Sequence, residues 1–466
     1  KRQFYGATYL LDQIGDKLGI VDDLKASFPD RYKQLLSLAY FFVLEEGMSA
    51  YRLRKWALTH NHPYGRDIPS QRISDLMGSI DEASKMNFFR RQAKRRAEKE
   101  YLAFDTTSIS SYSELIKLAK YGKNKEGDHL PQVNLALLYG EVSRLPVYFR
   151  KLTGNTADVS LIRNLMLDID FLDMKKLSFV MGRGFYSEKN INDLMKRHHK
   201  FLIGIRCGLK IARKHLDEIR GEKMISWENY HDDVGLYAMS FTDEWDYREE
   251  QPRTGKCICD KRRVYVHIYF NDQRCTDERL SFARYLTCLQ DELKSGRKTD
   301  GHMKDYDKYF IVTETPKRGL HIVPKGDAIR ERQRDFGYFV LLTNGIKNPV
   351  EAIKLYRVRD LIRVRDLIEK AFANLKERLD MRRMSVSSSE NFEGKLFVQF
   401  LALIYLSYIK KQMDEKGLYK KYTMQTLLDD LDIIELYQQP GRAHHLSEIT
   451  KKQIALYDAM GVPFPK

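Results

Sequence analysis

Apolar residues recur at helical spacing through the first hundred residues of the chain. Leu10, Ile14 and Leu18 follow one another at intervals of four residues, which places their side chains on one face of an α-helix. Residues 70–80 have the length of a helix in a helix-turn-helix unit, although length alone is a weak signal. The pattern predicts a helical region over residues 1–100.

The pattern changes at Tyr101, where short apolar runs replace the helical period. Two helical stretches, 160–172 and 187–196, lie between the later runs. Short runs that alternate with helices are typical of strands in an α/β layered domain. We therefore predict that residues 101–208 form the first part of such a domain. The predicted strands are 101–105, 132–139, 145–152, 177–181 and 201–205.

The segment from 209 to 334 has a different pattern. Val264, Val266 and Ile268 alternate with aromatic or polar neighbours, which is the period of a half-buried strand. We predict a mostly β insertion over residues 209–334, with one helix at 278–292.

The α/β domain resumes after the insertion, and the chain then becomes helical. A buried strand at 337–343 and a long helix from 348 or 349 to 379 predict the second part of the α/β domain over 335–384. Residues 385–466, which open with a polar linker, are predicted to form a helical C-terminal region.

Composition narrows the class of protein. The 466 residues suffice for about three domains at roughly 150 residues each. Hydrophobic residues are 43% and charged residues 31%, which excludes a disordered or fibrous chain. The 5 cysteines argue against a disulfide scaffold and for a reducing compartment. The longest apolar run, 396–406, is too short to cross a bilayer, so we expect a cytoplasmic protein without a membrane segment.

The charge balance favours a polyanionic partner. Lys and Arg number 80 against 64 Asp and Glu, which gives a net charge of +16. A soluble protein this basic usually binds nucleic acid. The alternative is a basic protein that has no such partner. Cations cluster between Arg90 and Lys99, where Arg95 and Arg96 are adjacent. This run is compatible with a phosphate-contacting face and equally with a solvated surface.

Asp105 is the first candidate for chemistry. It ends an apolar run and is followed by Thr106 and Thr107. A carboxylate at the end of a strand lies at the sheet edge, where a metal ion and a substrate can reach it. Two other interpretations stay open. Asp105 caps the next turn, or it is a phosphatase nucleophile whose usual second Asp is replaced by Thr107.

A second candidate lies on the predicted long helix. Arg365, Glu369 and Lys376 are separated by four and then seven residues, which is near one and two turns, so they share a face. Glu369 suits a divalent metal ion, and the two bases suit nearby phosphates. Helix-stabilising ion pairs on a surface give the same spacing.

The insertion offers two further interpretations. Cys257-x-Cys259 together with Cys275 suggests zinc, but the spacing fits no common zinc finger. Trp227 and Trp245 suit stacking on a flipped base and equally suit a hydrophobic core.

Four blocks of the sequence stand out together. They are Phe104-Asp105-Thr106-Thr107, Gly154-Asn155-Thr156-Ala157-Asp158, Arg183-Gly184-Phe185-Tyr186-Ser187 and residues 365–376. These blocks together resemble those of the DDE transposases of bacterial insertion sequences. More narrowly, they are similar to the group with a Tyr-x2-Arg-x3-Glu-x6-Lys signature and a β insertion before the last acid. The resemblance covers roughly residues 100 to 410 and keeps the order of the blocks.

This resemblance implies an α/β fold in which an RNase H-like catalytic domain is interrupted by the mostly β insertion and flanked by helical N- and C-terminal regions. It implies three carboxylates that hold two Mg²⁺ or Mn²⁺ ions, with Asp105 as the first and Glu369 as the third. The implied partners are terminal inverted repeats and target DNA, bound by a homodimer in the bacterial cytoplasm at the nucleoid. The resemblance implies that Arg365, Lys376 and Arg183 contact DNA. From the basic run between Arg90 and Lys99, Arg95 and Arg96 are also expected to contact DNA.

The chain departs from the family pattern at the second carboxylate. Gly182 stands where that acid is expected, directly after the strand 177–181, and glycine has no side chain to bind a metal ion. Asp168, Asp170 and Asp173 lie on other elements and are poorly placed to substitute. We therefore expect one metal ion to bind weakly and strand cleavage to be severely impaired.

A tandem hexapeptide is the other departure. Arg-Val-Arg-Asp-Leu-Ile occupies residues 357–362 and again 363–368, so Ile362 stands at the signature tyrosine position and Tyr356 precedes the first copy. Six residues of helix add about 600° of turn and roughly 9 Å of rise. We expect a flexible connection over 344–349 to absorb the insertion and to leave Glu369 in place.

Two alternatives to an active transposase follow from these departures. A decayed copy still binds DNA through residues 1–100 and the C-terminal helices but no longer cleaves it. An RNase H-like nuclease cuts DNA and never joins ends.

Overall fold

The structure is a computed structural model, and the chain in it forms two compact units, residues 1–200 with 356–466 and residues 201–355. The described residues are 1–96, 100–111, 118, 120–121, 131–154, 158–172, 177–250, 257–315, 319–360, 383–384, 389–438, 441 and 443–466.

Helices dominate the first hundred residues, as the apolar spacing predicts. They follow a short strand, β1 (Arg2–Phe4). The helices are α1 (Gly6–Lys17), α2 (Ile20–Ser27), α3 (Tyr32–Leu44), α4 (Leu53–Thr59), α5 (Ser70–Gly78) and α6 (Glu82–Arg96). Gly19 joins α1 to α2 with φ at 68°, a conformation that glycine adopts at little cost.

Four strands of the first unit form a sheet. The elements here are β2 (Tyr101–Ser111), β3 (Gln132–Gly140), β4 (Pro146–Thr153), α7 (Asp158–Phe171), β5 (Ser178–Met181) and α8 (Glu188–Lys196). The strand order is β4–β3–β2–β5. Strands β2, β3 and β4 form an antiparallel meander, and β5 joins β2 in parallel after the crossover through α7. This arrangement is that of an RNase H-like fold, so the predicted fold class is confirmed.

Residues 201–355 contain an antiparallel array of strands and a separate hairpin. The strands are β6 (Lys200–Ile205), β7 (Tyr230–His231), β8 (Leu236–Glu250), β9 (Cys257–Phe270), β10 (Phe310–Thr315), β11 (Gly319–Pro324) and β12 (Tyr338–Thr343). The order β6–β12–β9–β8–β7 is antiparallel at every pairing, and β10 with β11 forms a separate hairpin. The unit also contains helices, so the insertion combines both kinds of element. They are α9 (Lys210–Ile219), α10 (Asp272–Ser295), α11 (Met303–Tyr309), α12 (Gly326–Gln333) and α13 (Pro349–Asp360).

A two-stranded ribbon extends from this antiparallel array. Strands β8 and β9 pair from Tyr237 and Phe270 to Glu250 and Cys257. Strand β12 pairs with β9 only as far as Tyr265. The remaining part of the β8–β9 pair therefore continues as a ribbon beyond the cover of β12.

The C-terminal elements belong to the first unit. They are β13 (Arg383–Met384), α14 (Ser389–Glu415), α15 (Met424–Asp432), β14 (Glu435–Tyr437), β15 (His445–Leu446) and α16 (Lys451–Ala459). Strand β13 pairs in parallel with the end of β2, and β14 pairs with β1. Both ends of the chain are therefore tied to the same unit.

One aromatic cluster joins the parts of the first unit. The Phe89 ring on α6 lies 5.1 Å from Tyr148 and 5.3 Å from Phe149 on β4, and 5.3 Å from Phe400 on α14. These rings meet edge to face, an arrangement that stabilises aromatic pairs beyond simple burial. The N-terminal helices, the sheet and α14 thus share a core. The predicted domain boundaries near residues 100 and 385 stay predictions.

Helix α14 is long and apolar enough to cross a membrane by length and composition. However, 94% of its apolar window is buried inside the protein. Phe397, Leu401 and Ile404, on the predicted apolar face, have no exposed surface. This is the burial of a core helix.

A cluster of ion pairs lies at the start of α14. Glu393 accepts hydrogen bonds from Lys85 on α6, at 3.0 Å, and from Lys151 on β4. The Lys85 side chain is only 3% exposed and also pairs with Glu82 at 2.5 Å. Because Lys85 is buried, removing its partner leaves a charge without compensation.

Replacing Glu393 with Gln is expected to destabilise the first unit by about 2 kcal/mol, because Lys85 keeps only its pair with Glu82. The 32% exposure of Glu393 moderates the loss. The matched change Glu82→Gln, at a 69% exposed partner of the same lysine, should cost less than about 1 kcal/mol. Urea denaturation measures both, and equal losses would contradict the assignment of Glu393 as the main partner.

The same pair predicts a pH dependence. Burial alone raises the pKa of Glu393, but the hydrogen bonds from Lys151 and Lys85 outweigh it, so the pKa lies below its ordinary value. The stabilisation is therefore complete above the unfolded pKa of about 4.3 and is lost as pH falls through the lowered folded pKa. The native chain and Glu393→Gln should therefore converge in stability once the pH falls below that lowered folded pKa.

Candidate functional site

Asp105 lies in the middle strand of the first sheet, at the point where its parallel neighbour ends. It is half-buried between the buried residues Phe104 and Thr106. Its Oδ1 accepts a 2.8 Å hydrogen bond from the Thr106 backbone N–H. Strand β5 pairs with β2 only as far as Met181, opposite Phe104. From Asp105 onward, that side of β2 is no longer covered by β5.

Gly182 follows in the same register. Because Met181 lies opposite Phe104, the next residue on each strand brings Gly182 alongside Asp105. Neighbouring strands are separated by about 4.8 Å. Gly182 has φ at −73° and ψ at 165°, an extended conformation that any residue adopts. The backbone therefore does not require glycine, and an acid placed here would face the same edge region as Asp105.

The segment after Gly182 is held in place by local bonds. Residues Arg183–Phe185 form one turn of 3-10 helix, and the Phe185 ring packs 5.0 Å from Phe104. The Asn190 side-chain amide donates a 2.9 Å hydrogen bond to the Phe185 carbonyl, and the Ser187 side chain caps α8. These contacts fix the exposed Arg183 beside the end of β5.

The nearby aspartates are already engaged elsewhere. Asp168 accepts hydrogen bonds from Arg150 and, at 2.7 Å, from the Tyr148 hydroxyl. Asp170 pairs with Arg197 at 2.7 Å. Asp173 lies outside the described residues. Within the part of the chain that the structure describes, no three His, Cys, Asp or Glu side chains gather as a metal site.

The late half of the predicted site, Arg365, Glu369 and Lys376, lies outside the described residues. Helix α13 before it ends at Asp360, and Tyr356 within it is buried. The sequence places Glu369 thirteen residues after Tyr356, whereas the family signature separates its tyrosine and glutamate by seven.

The connection before α13 is held by several side-chain hydrogen bonds. Asn344 accepts a 2.9 Å hydrogen bond from the Phe201 N–H, and His267 bonds the Ile346 carbonyl at 3.0 Å. Asn348 caps α13 by accepting from the N–H two residues further on, at 2.8 Å. The expectation that this connection absorbs the six-residue repeat stays a prediction.

Of the two predicted DNA contacts on α6, Arg95 is engaged inside the protein. Its guanidinium donates two hydrogen bonds, 2.8 Å and 2.9 Å long, to Asp23, whose side chain is 2% exposed. The Arg96 side chain lies outside the described residues. Arg91 and Lys94 on the same helix are exposed as well.

A basic surface that the sequence interpretation missed lies on α4 and α5. Lys55 on α4, Arg72 on α5 and Arg52 directly before α4 are exposed, and Tyr51 next to Arg52 is 66% exposed. The signal in the sequence was the alternation of these cations with the buried Leu53, Trp56 and Ile73 at helical spacing.

The insertion residues fall into separate places. Cys257 and Cys259 lie two residues apart on β9, whereas Cys275 follows the end of that strand. At roughly 3.3 Å per residue, the strand from Cys259 to its end at Phe270 alone spans about 36 Å. The three-cysteine zinc site is therefore wrong. Trp245 is buried at 7%, whereas Trp227 is 81% exposed.

The strand β2 continues to Ser111, so Asp105 does not end it as expected; the carboxylate lies partway along the middle strand of an RNase H-like sheet, where the parallel strand β5 ends. The profile of the Transposase DDE domain family matches residues 96–405, which is more than half of the chain. The chain therefore belongs to the DDE transposases.

Other comparisons add little detail. Among solved structures, the chain is similar to a piggyBac transposase in a synaptic complex with hairpin DNA. The identity is 10% and the TM-score 0.39, over 91% of this chain and 70% of that one. No curated protein sequence is significantly similar to the chain. The assignment to the family rests on the profile match.

Replacing Arg95 with Ala is expected to cost about 2 kcal/mol of stability, because the buried Asp23 carboxylate keeps only the Gln92 amide, at 2.6 Å. The matched change Arg91→Ala, at an exposed cation of the same helix, should stay within about 0.5 kcal/mol. Chemical denaturation of both variants measures the difference. A loss no larger than that of Arg91→Ala would argue that Arg95 is free for DNA.

Proposed function

We propose that the chain descends from an insertion-sequence transposase that binds element ends and catalyses metal-dependent cleavage and transfer of DNA strands. The observation that carries this proposal is the register of β2 and β5. It brings Asp105 and position 182 side by side where β5 ends, next to Arg183. Family membership supports the same chemistry.

The side chains at the candidate site supply only part of the ligands that a divalent ion needs. Asp105 is a half-exposed carboxylate, a hard oxygen ligand of the kind that Mg²⁺ and Mn²⁺ prefer, and Gly182 supplies nothing. We propose that Asp105 and Glu369 hold one ion. When bound, such an ion activates a water or 3′-hydroxyl and offsets the negative charge of the phosphodiester. Arg183, Arg365 and Lys376 are proposed to hold the DNA backbone beside it.

Gly182 favours a second candidate function for this copy, a DNA-binding protein without cleavage activity. A missing carboxylate removes a ligand for one ion and leaves the DNA-binding surfaces in place. Gel-shift and cleavage assays run in parallel on one preparation separate the two. Binding without nicking supports the second function. Nicking followed by joined products supports the first, and nicking without joining supports a nuclease.

Replacing Gly182 with Asp is expected to raise supercoiled-DNA cleavage in Mg²⁺ or Mn²⁺ by roughly a hundredfold, which corresponds to about 2.7 kcal/mol of transition-state stabilisation. The reason is that it adds a carboxylate alongside Asp105, at a position whose backbone accepts any residue. Gly184→Asp, at an exposed position in the adjacent turn, is the matched control and should have no effect. The same two substitutions are compared after deletion of residues 363–368, which returns Glu369 to seven residues after Tyr356. Equal cleavage by Gly182→Asp and Gly184→Asp in both backgrounds would refute the role of position 182.

DNA contact is proposed to concentrate on the first unit. Residues 201–355 carry 28 Lys and Arg against 25 Asp and Glu, so most of the net charge of +16 lies outside them. The proposed phosphate contacts are the exposed Lys55 on α4, Arg72 on α5 and Arg52 directly before α4, and Arg96 is a further one on α6. We propose that two copies pair element ends, and that the protein acts at the bacterial nucleoid in the cytoplasm.

The double change Lys55→Ala and Arg72→Ala is expected to weaken DNA binding and to reduce the slope of log affinity against log salt. The reduction should be about 0.9 for each phosphate that the protein no longer neutralises. Lys304→Ala, at an exposed cation of the other unit, is the control and should leave the slope unchanged. Fluorescence anisotropy on duplex DNA between low and physiological salt measures all three proteins. An unaltered slope in the double variant would show that this face does not meet phosphates.

A further inference from the structure

The ribbon formed by β8 and β9 carries two cysteines close together. Cys257 and Cys259 are two residues apart on β9, so both side chains point to the same face of the strand. Their Sγ atoms are 3.5 Å apart, and both side chains are exposed. No reaction or contact proposed above uses them.

These cysteines do not belong to a hydrophobic core. In the ribbon register, Cys259 lies opposite Arg248, and Cys257 lies opposite Glu250. Trp245 and Tyr247, which are buried, alternate with these positions and therefore occupy the other face. The packing of this part of the ribbon uses that other face, and the thiols lie on the side that solvent reaches.

The sulfur separation suits a shared metal ion. Thiolate sulfurs lie about 2.3 Å from Zn²⁺, and a tetrahedral angle then puts two of them about 3.8 Å apart. The observed 3.5 Å is within a few tenths of an ångström of that value. A disulfide instead needs sulfurs about 2.05 Å apart and Cα atoms no more than about 6.8 Å apart. Two residues of extended strand span about 6.7 Å, at the upper end of the disulfide range and beyond its usual value of about 5.5–6 Å, so the spacing suits a shared ion better than a disulfide.

We propose that Cys257 and Cys259 form a binding site for one thiophilic divalent cation such as Zn²⁺. Binding converts both thiols to thiolates, forms two metal–sulfur bonds and releases two protons to solvent, with no change in oxidation state. Two positions of the tetrahedral ion stay open to water or another donor. Neither Cys275 nor Cys288 takes part, because β9 separates Cys275 from the pair and Cys288 lies on α10.

The test uses Co²⁺ as a spectroscopic probe and Zn²⁺ as a competitor, with the full chain kept reduced and free of oxygen. Co²⁺ should give a thiolate-to-metal charge-transfer band that saturates at no more than one ion per chain and disappears when Zn²⁺ is added. Cys257→Ser and Cys259→Ser should each weaken binding by roughly a hundredfold, because the second thiolate acts at high effective concentration. Cys288→Ser removes an exposed cysteine elsewhere and should change neither the charge-transfer band nor the affinity for the ion.

Several results would overturn the proposal. The native chain could give no charge-transfer band, the band could persist in the double variant with both cysteines replaced, or Cys288→Ser could abolish it. Unchanged circular dichroism of the exposed-site variants verifies that they fold. The outcome is independent of transposase activity, because Asp105 and Glu369 bind ions through oxygen and give no thiolate band.

Discussion

Helix α14 is stable in water only because other parts of the first unit cover almost its whole surface. Its apolar side chains face α3 and α5 on one side and β4 on another, and the aromatic cluster around Phe89 fills the space between them. The same helix begins with Glu393, which neutralises one lysine from α6 and one from β4. Segments from the beginning, middle and end of the sequence therefore stabilise one another, and none of them buries its apolar surface alone.

The position of the candidate site follows from that packing. Strand β4 is held against α6 and α14, β3 pairs with β4, and β2 pairs with β3, so the middle strand has a fixed place in the unit. The crossover through α7 then returns β5 in parallel and ends it opposite Phe104. The neighbourhood of Asp105 is thus determined by strand register, and the missing carboxylate at 182 leaves that register intact.

Sequence periodicity predicted most helices and strands because apolar side chains must face a core at intervals of 3.6 or 2 residues. It predicted the candidate carboxylate Asp105 for the same reason, since the residue ends an apolar run. Periodicity could not indicate contacts between residues that are distant in the sequence. The bond from Arg95 to Asp23 joins residues 72 positions apart, and composition suggested a free cation. The hydrogen bond from the Phe201 N–H to Asn344, just before α13, joins residues 143 positions apart and was likewise not predictable from the sequence pattern.

The fixed beginning of α13 gives the repeated hexapeptide a consequence that depends on its length. When a helix starts from an anchored point, added residues rotate everything downstream by about 100° each. Six residues leave a continuous helix about 240° out of phase, whereas seven would return it to within about 20° of its starting face. A duplication one residue longer would thus have shifted the functional face along the axis and kept its orientation. The length of the repeat, rather than its composition, therefore decides whether the residues after it keep their orientation relative to the buried Tyr356.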